Sequence, residues 1–508
     1  MLQRFMSMLL TCTVVGLAPL TSHAQDEGPS LTVYSSADPA GFDPQQFISQ
    51  QRQGRNASFA WQVPGFGVVR ETRKVEIPKG VSEIRFTDVA AFIDPTTVGF
   101  KDLTTKGTNV LEQNFEFDLV SPSKLLEKYI DKSIRLQPGD GLQEVEGTLL
   151  SASESSAVLQ VKDKIEIVPI SEARITMGTL PGGLITRPTL VWKLQAAVGG
   201  EHMIQTNYQT AGLTWRADYN LTLNKDDTRG DLTAWVSLMN LSGASYENAK
   251  LKLVAGDVQR VQPPPPSNRS RGRVLMAEDS LGAPGFEEQS FFEYHLYTLP
   301  RRTDIKNNGT QQITLFPPIQ GFKVEKELVY RGASAFLYNA RNQSPATNTG
   351  YGTQSQTKVG VFISFKNEKD NGLGMPMPAG KVRVYKENPN DGALEFLGED
   401  LIDHTPRNEE IRIKVGDAFD VVGERTQEDF KINTNGKTMT ETYKIEIRNQ
   451  KDEAQSVIVR EPLYRWTNWK ITNSSVSFKK LDAQTIEWTL KVPAEGAKSI
   501  TYTVEYTW

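Results

Sequence analysis

Cysteine is almost missing from this chain: one residue, Cys12, in 508. Histidine is scarce as well, at four. Neither sign of charge dominates, since 57 Lys and Arg stand against 61 Asp and Glu for a net charge of −4. Each shortage removes a class of protein. One thiol builds neither a disulfide framework nor a cysteine-rich zinc centre. His202, His295 and His404 lie far apart, and no His-x-x-x-His pair occurs, so a metal site of standard spacing is absent. Near-balanced charge offers no electrostatic footprint for duplex nucleic acid or an anionic membrane surface. The Gly-x-Ser-x-Gly elbow and the Walker phosphate loop are both lacking. Gly65-Phe66-Gly67-Val68-Val69-Arg70 opens like a dinucleotide fingerprint but ends in Arg, among strand-like segments without a βαβ unit. What is present is ordinary globular material: 38% hydrophobic residues with 8 Trp, 15 Tyr and 22 Phe, enough for several packed cores.

Long apolar runs are also few, and the one that exists is at the start. Met1 to Arg4 supplies a positive end, and Phe5 to Leu20 is apolar. Thr21-Ser22-His23-Ala24 then places Ser22 and Ala24 as the small residues of a cleavage site. Residues 1–24 therefore read as a signal peptide, whose apolar run Phe5 to Leu20 is short for a membrane span of about 20 residues. Cleavage would remove Cys12 and leave a thiol-free chain, which suits a bacterial envelope protein, periplasmic or secreted, whose cores hold by burial alone. No later stretch is apolar enough for a transmembrane helix.

Elsewhere the apolar pattern has period two. Tyr443, Ile445 and Ile447 alternate with Lys444, Glu446 and Arg448; Ile486, Trp488, Leu490 and Val492 alternate with Glu487, Thr489 and Lys491. Similar runs centre on Phe117, Val236 and Val361, separated by turn clusters such as Asn371-Gly372 and Asn435-Gly436. Such alternation predicts half-buried antiparallel strands of five to eight residues, hence a mainly β fold. One segment differs. Ser121 to Ile130 carries a cap, an early proline and apolar Leu125, Leu126, Tyr129 and Ile130, the stripe of a short helix. A small strand meander follows over residues 147–170. Four parts are expected: the signal peptide 1–24; an N-terminal β module with the short helix, 25–185; a first β unit, 186–335; and a second β-sandwich unit, 336–508. Residues 262–289 read as a disordered insertion, with polyproline at Pro263 to Pro266 and the basic tract Arg269 to Arg273. Asn339 to Gln356 reads as a polar loop, and Asp38 to Ser58 is weakly patterned.

Chemistry is harder to place. Glu293-Tyr294-His295 and Asp403-His404-Thr405 are the two acid–histidine neighbourhoods. Glu293 and His295 would share one strand face, whereas Asp403 and His404 would diverge. Structural hydrogen bonding at strand ends is the expected role for both histidines. No catalytic, cofactor-binding or metal-ligating set is assigned, and no cofactor is expected. A glycan-active hydrolase needs only two carboxylates, and composition cannot select the pair. The ending Ile500, Tyr502, Val504, Tyr506 and Trp508 alternates toward a terminal aromatic, as outer-membrane barrels do; 23% charged residues and short strands speak against one.

Particular strings carry a resemblance. Gly212-Leu213-Thr214-Trp215-Arg216-Ala217-Asp218-Tyr219, Ser290 to Leu299, Thr310 to Leu315, Val382-Arg383-Val384-Tyr385, Asp403-His404-Thr405-Pro406 and Gly416-Asp417-Ala418-Phe419-Asp420 resemble the uncharacterised β domain at the C-terminus of mucoidy-inhibitor-A-like proteins. Arg70 to Arg73 and Asp88 to Pro95 resemble the N-terminal part of single-chain relatives. The resemblance implies no reaction, and this chain lacks the long coiled coil of those proteins. The expected function is accordingly a non-enzymatic binding or scaffolding protein of the envelope, whose partner is an envelope protein or a polysaccharide and not nucleic acid. The alternatives are the two-carboxylate glycan hydrolase and the outer-membrane barrel.

Overall fold

Alternating apolar residues become sheet nearly everywhere. The computed structural model describes residues 28–34, 63–137, 143–153, 155–179, 181–182, 184–256, 258, 287–291, 294–339, 342 and 344–508. The expected signal peptide 1–24, the segment Asp38 to Ser58 and residues 262–286 of the expected insertion lie outside the described residues. Among the described residues strand accounts for 63% and helix for 4%, in five sheets with no closed barrel. The mainly β reading holds.

The eight-stranded sheet is centred on Ser30–Tyr34, Phe66–Ile77 and Gly200–Thr210, and the three-stranded one holds Gly80–Thr87, Thr189–Ala196 and Thr108–Glu116. The larger five-stranded sheet runs Gly309–Lys323, Arg229–Asn240, Leu213–Leu223, Gly380–Glu387, Leu394–Ile402. Apolar faces of these three sheets meet in one core containing Leu31, Trp192, Trp215, Tyr219, Val236 and Val384. The nine-stranded sheet, which includes Glu410–Asn433, Thr438–Asn449, Gln455–Pro462 and Gly496–Thr507, curls around a second core with Tyr443, Trp488, Tyr502 and Tyr506. Ile411 and Ile413 belong to the first core and Val421 to the second, so one strand staples the two together.

The helix forms where expected, at Pro122–Lys128. Ser121 accepts a hydrogen bond from the Lys124 amide at 3.3 Å, and proline occupies the first turn where no N–H is needed. Leu126 and Tyr129 are buried against the smaller five-stranded sheet, the expected meander, whose core adds Ile134, Leu136, Leu149 and Leu159.

Four observations depart from the sequence expectations. Strands run well beyond five to eight residues, up to the 24 of Glu410–Asn433, because bulges bend a strand without ending its pairing. Not all pairing is antiparallel: Ser30–Tyr34 with Tyr246–Ala255, Leu213–Leu223 with Gly380–Glu387, and Glu325–Arg331 with Gln455–Pro462 are parallel, each joining segments distant in the chain. Residues Glu287–Phe291, at the end of the expected insertion, form a strand, since the neighbour Tyr294–Thr298 supplies backbone partners without any apolar period. Pairing also crosses the borders expected at 185 and 335. Thr189–Ala196 joins strands of the N-terminal module, and Gly380–Glu387 joins the sheet of Leu213–Leu223.

Candidate functional site

The histidines fall in three separate places. His202 and Asp102 are both 2% exposed, with Nδ1 2.6 Å from Oδ2. The Thr104 and Thr105 amides and the Thr108 hydroxyl also donate to this carboxylate. Burial alone would push the Asp102 carboxyl up, but these donors outweigh it and hold it below the usual range. His404 follows Leu394–Ile402, and its Nδ1 accepts from the Ala379 amide at 3.0 Å. Tyr297 and Tyr219 hydroxyls donate to the carbonyls of Pro376 and Pro378, so His404 completes a clamp on the turn at residues 376–379. His295 lies in Tyr294–Thr298, opposite Ala255 on one side and Ser290 on the other. Glu293 is outside the described residues, and Asp403 is exposed. Among the described residues no three of His, Cys, Asp and Glu converge on a metal position.

The densest chemistry is one that no sequence motif flagged. Arg425, Glu461 and Arg465 are completely buried, and Glu441 is 1% exposed. Arg425 pairs with Glu461 at 2.6 Å and lies 3.6 Å above the centre of the Tyr443 ring. Arg465 pairs with Glu441 at 2.6 Å, and Gln427 and Tyr443 donate to the same carboxylate. Tyr502 donates to Glu461 at 2.7 Å. Above this layer lies the polar loop expected at 339–356. Arg465 donates to the carbonyls of Ala346, Asn348, Thr349 and Tyr351 at 2.6–3.2 Å, and Arg425 to that of Gly352 at 3.0 Å. The two guanidinium forks thus satisfy a stretch of backbone that has no sheet to pair with.

Burial raises the Glu441 carboxyl above its ordinary value, though Arg465 and Arg425 pull it down. Burial likewise pushes the Tyr330 hydroxyl up to about 12 and those of Tyr443 and Tyr464 upward, which keeps them as proton donors. Glu441 and Glu461 are two carboxylates in one neighbourhood, but each is neutralised by its own arginine and sealed from solvent by the loop. As folded, this arrangement holds a loop, and among the described residues both acids are buried.

An accessible face is found on another sheet. On the outer side of the larger five-stranded sheet, side chains stand in three rows. Thr314, Trp235, Asp218, Lys381 and Leu401 form the first, Thr233, Asn220, Arg383 and Glu399 the second, and Thr222, Tyr385 and Phe396 the third. One end is covered, where Met239 packs with Val63, Leu241 and Phe92. The other end is open: Trp235 is 37% exposed, Phe396 56% and Leu394 61%. Tyr385 and Phe396 meet edge to face at 5.7 Å. Asp218, 4% exposed, accepts from Ser237 at 2.6 Å and pairs with Arg216 and Arg383, which fixes the polar side chains at the covered border. Arg383 and Lys381 also pair with Glu399, so the face carries little net charge.

No curated protein matches the chain. A family model described as a domain of unknown function (DUF4139) matches residues 204–508, a span that holds both the arginine-pinned loop and nearly all of the open sheet face, and the chain belongs to that family.

Proposed function

We propose that the chain is an exported, non-enzymatic binding or scaffolding protein of a bacterial envelope, a relative of the mucoidy-inhibitor-A-like proteins that works without their coiled coil. The observation that carries this reading is the half-open outer face of the larger five-stranded sheet. It presents Trp235, Tyr385, Phe396 and Leu394 on rigid strands, and exposed aromatic and aliphatic groups gathered on one face mark contact surfaces. The arginine-pinned loop supports the same view, because it spends four buried charges on holding a shape. Export rests on the charged start, the apolar run and the Ser22–Ala24 cleavage site.

Two measurements test the reading. Expressed in a Gram-negative host, the chain should be released by osmotic shock with Gln25 at its N-terminus; an unprocessed cytoplasmic chain would reject export. The competing hydrolase needs two carboxylates that meet a substrate, and Glu441 and Glu461 are only one buried pair among many acids. Release of reducing ends from envelope polysaccharide, abolished by a single Asp or Glu substitution, would establish that alternative in place of the binding role.

A further inference from the structure

We infer that the open half of the five-stranded sheet's outer face is a platform for a neutral polysaccharide chain, an inference that rests on the binding role proposed above. Trp235 and Tyr385 stand two strands apart and four residues along, a diagonal of roughly 16 Å from ordinary sheet spacings. That separation is longer than one sugar ring and suits an extended chain. Between the rings lie Asn220, Thr222, Thr233 and Arg383, whose amide, hydroxyl and guanidinium groups are the donors and acceptors that sugar hydroxyls need. Phe396 and Leu394 extend the apolar strip beyond Tyr385. Aromatic faces pack against the C–H faces of sugar rings, while the polar row fixes their orientation.

Three alternatives fit less well. A compact metabolite needs concavity, and this is an open sheet surface. An anionic polymer needs surplus positive charge, whereas Arg383 and Lys381 are offset by Asp218 and Glu399. A protein partner would want a continuous apolar centre, and here a polar row separates the aromatic groups.

The test is gel retardation of the mature chain in hydroxyethyl cellulose, dextran and mannan. Retardation by at least one is expected, persisting at about 0.5 M salt, where exposed ion pairs are screened. Trp235→Ala and Tyr385→Ala should each weaken it about three- to tenfold, the loss expected for one ring contact. Phe396→Ala, on the exposed hairpin, should weaken it without moving the thermal midpoint, so loss of binding is separable from loss of fold. Binding to none of the three, binding abolished by salt, or binding indifferent to all three variants overturns the inference. If the exported chain instead crosslinks to a protein through Lys381, the glycan assignment falls while the binding role stands. If it proves cytoplasmic or hydrolytic, the parent reading is the one that fails.

Discussion

Replacing Arg465 by Met tests the loop anchor most directly. The guanidinium has no solvent exposure, one short ion pair to Glu441, and hydrogen bonds to four loop carbonyls. Methionine keeps much of the volume and removes every donor. Glu441 is then left as a buried charge without its main partner, a loss that costs about 3–5 kcal/mol when one member of a buried pair is deleted. Urea unfolding followed by tryptophan fluorescence should show a deficit of that size, and amides of residues 344–356 should exchange faster. A second change, Glu441→Gln, removes the stranded charge and should return about 1–2 kcal/mol, the coupling typical of contacting groups. The pH dependence carries a definite sign. Burial already raises the Glu441 carboxyl and Arg465 lowers it, so deleting Arg465 raises it further. A carboxyl raised in the folded state favours folding when protonated, so the deficit should be largest near pH 8 and shrink toward pH 5. A deficit below about 1 kcal/mol, unchanged loop exchange, or a deficit flat with pH would refute the anchor.

Other perturbations separate the remaining structural roles. Asp102→Asn should cost about 1–3 kcal/mol through poorly matched buried donors. Because the Asp102 carboxyl is held low, its contribution is present above about pH 4 and lost as pH falls through the folded value, so the wild-type advantage in thermal melts should close in acid. Gly352→Ala places a Cβ 2.5 Å from the Tyr464 ring at a residue with φ +74°; backbone strain alone is worth about 1–3 kcal/mol, and limited proteolysis should show cutting in the loop that Gly352 seats. His404→Ala leaves the Ala379 amide without its acceptor and should lower stability by about 1–2 kcal/mol, with the zinc content of the purified chain unchanged by plasma emission.

Much of the architecture was legible because period-two alternation is a local signal. Tyr443, Ile445 and Ile447, and likewise Ile486 to Val492, face the core as the pattern predicts, and the capped helix at Pro122 stands where its stripe placed it. Strand partners were not legible. Alternation names the buried face and is silent on the neighbour, so the parallel joins between residues about 130 to 220 apart in sequence had no local trace. Strand length failed for a related reason. A bulge such as that between Gln427 and Asp429 shifts the alternation by one residue, so one continuous strand reads as two.

The buried charges left a trace that was open to reading. In Thr438–Asn449 the core positions are the odd ones from Met439 to Asn449, and Glu441 falls among them. Val457, Val459 and Glu461 share one face in the same way, as do Val421, Gly423 and Arg425. A charged residue continuing an apolar face is costly unless paired, so two acids and an arginine in such positions on strands of one sheet imply one another. Arg465 has no such marker, because it follows Gln455–Pro462 in an irregular segment. The open sheet face was harder still. Trp235, Tyr385 and Phe396 lie on three different strands, and only the pairing of Leu213–Leu223 with Gly380–Glu387 brings them onto one surface. That pairing is also what decides the functional argument. A contact surface assembled from distant strands leaves no motif, so a chain without catalytic signatures can still carry a specific site, and the place to look for it is where aromatic side chains occupy the solvent side of an alternating strand.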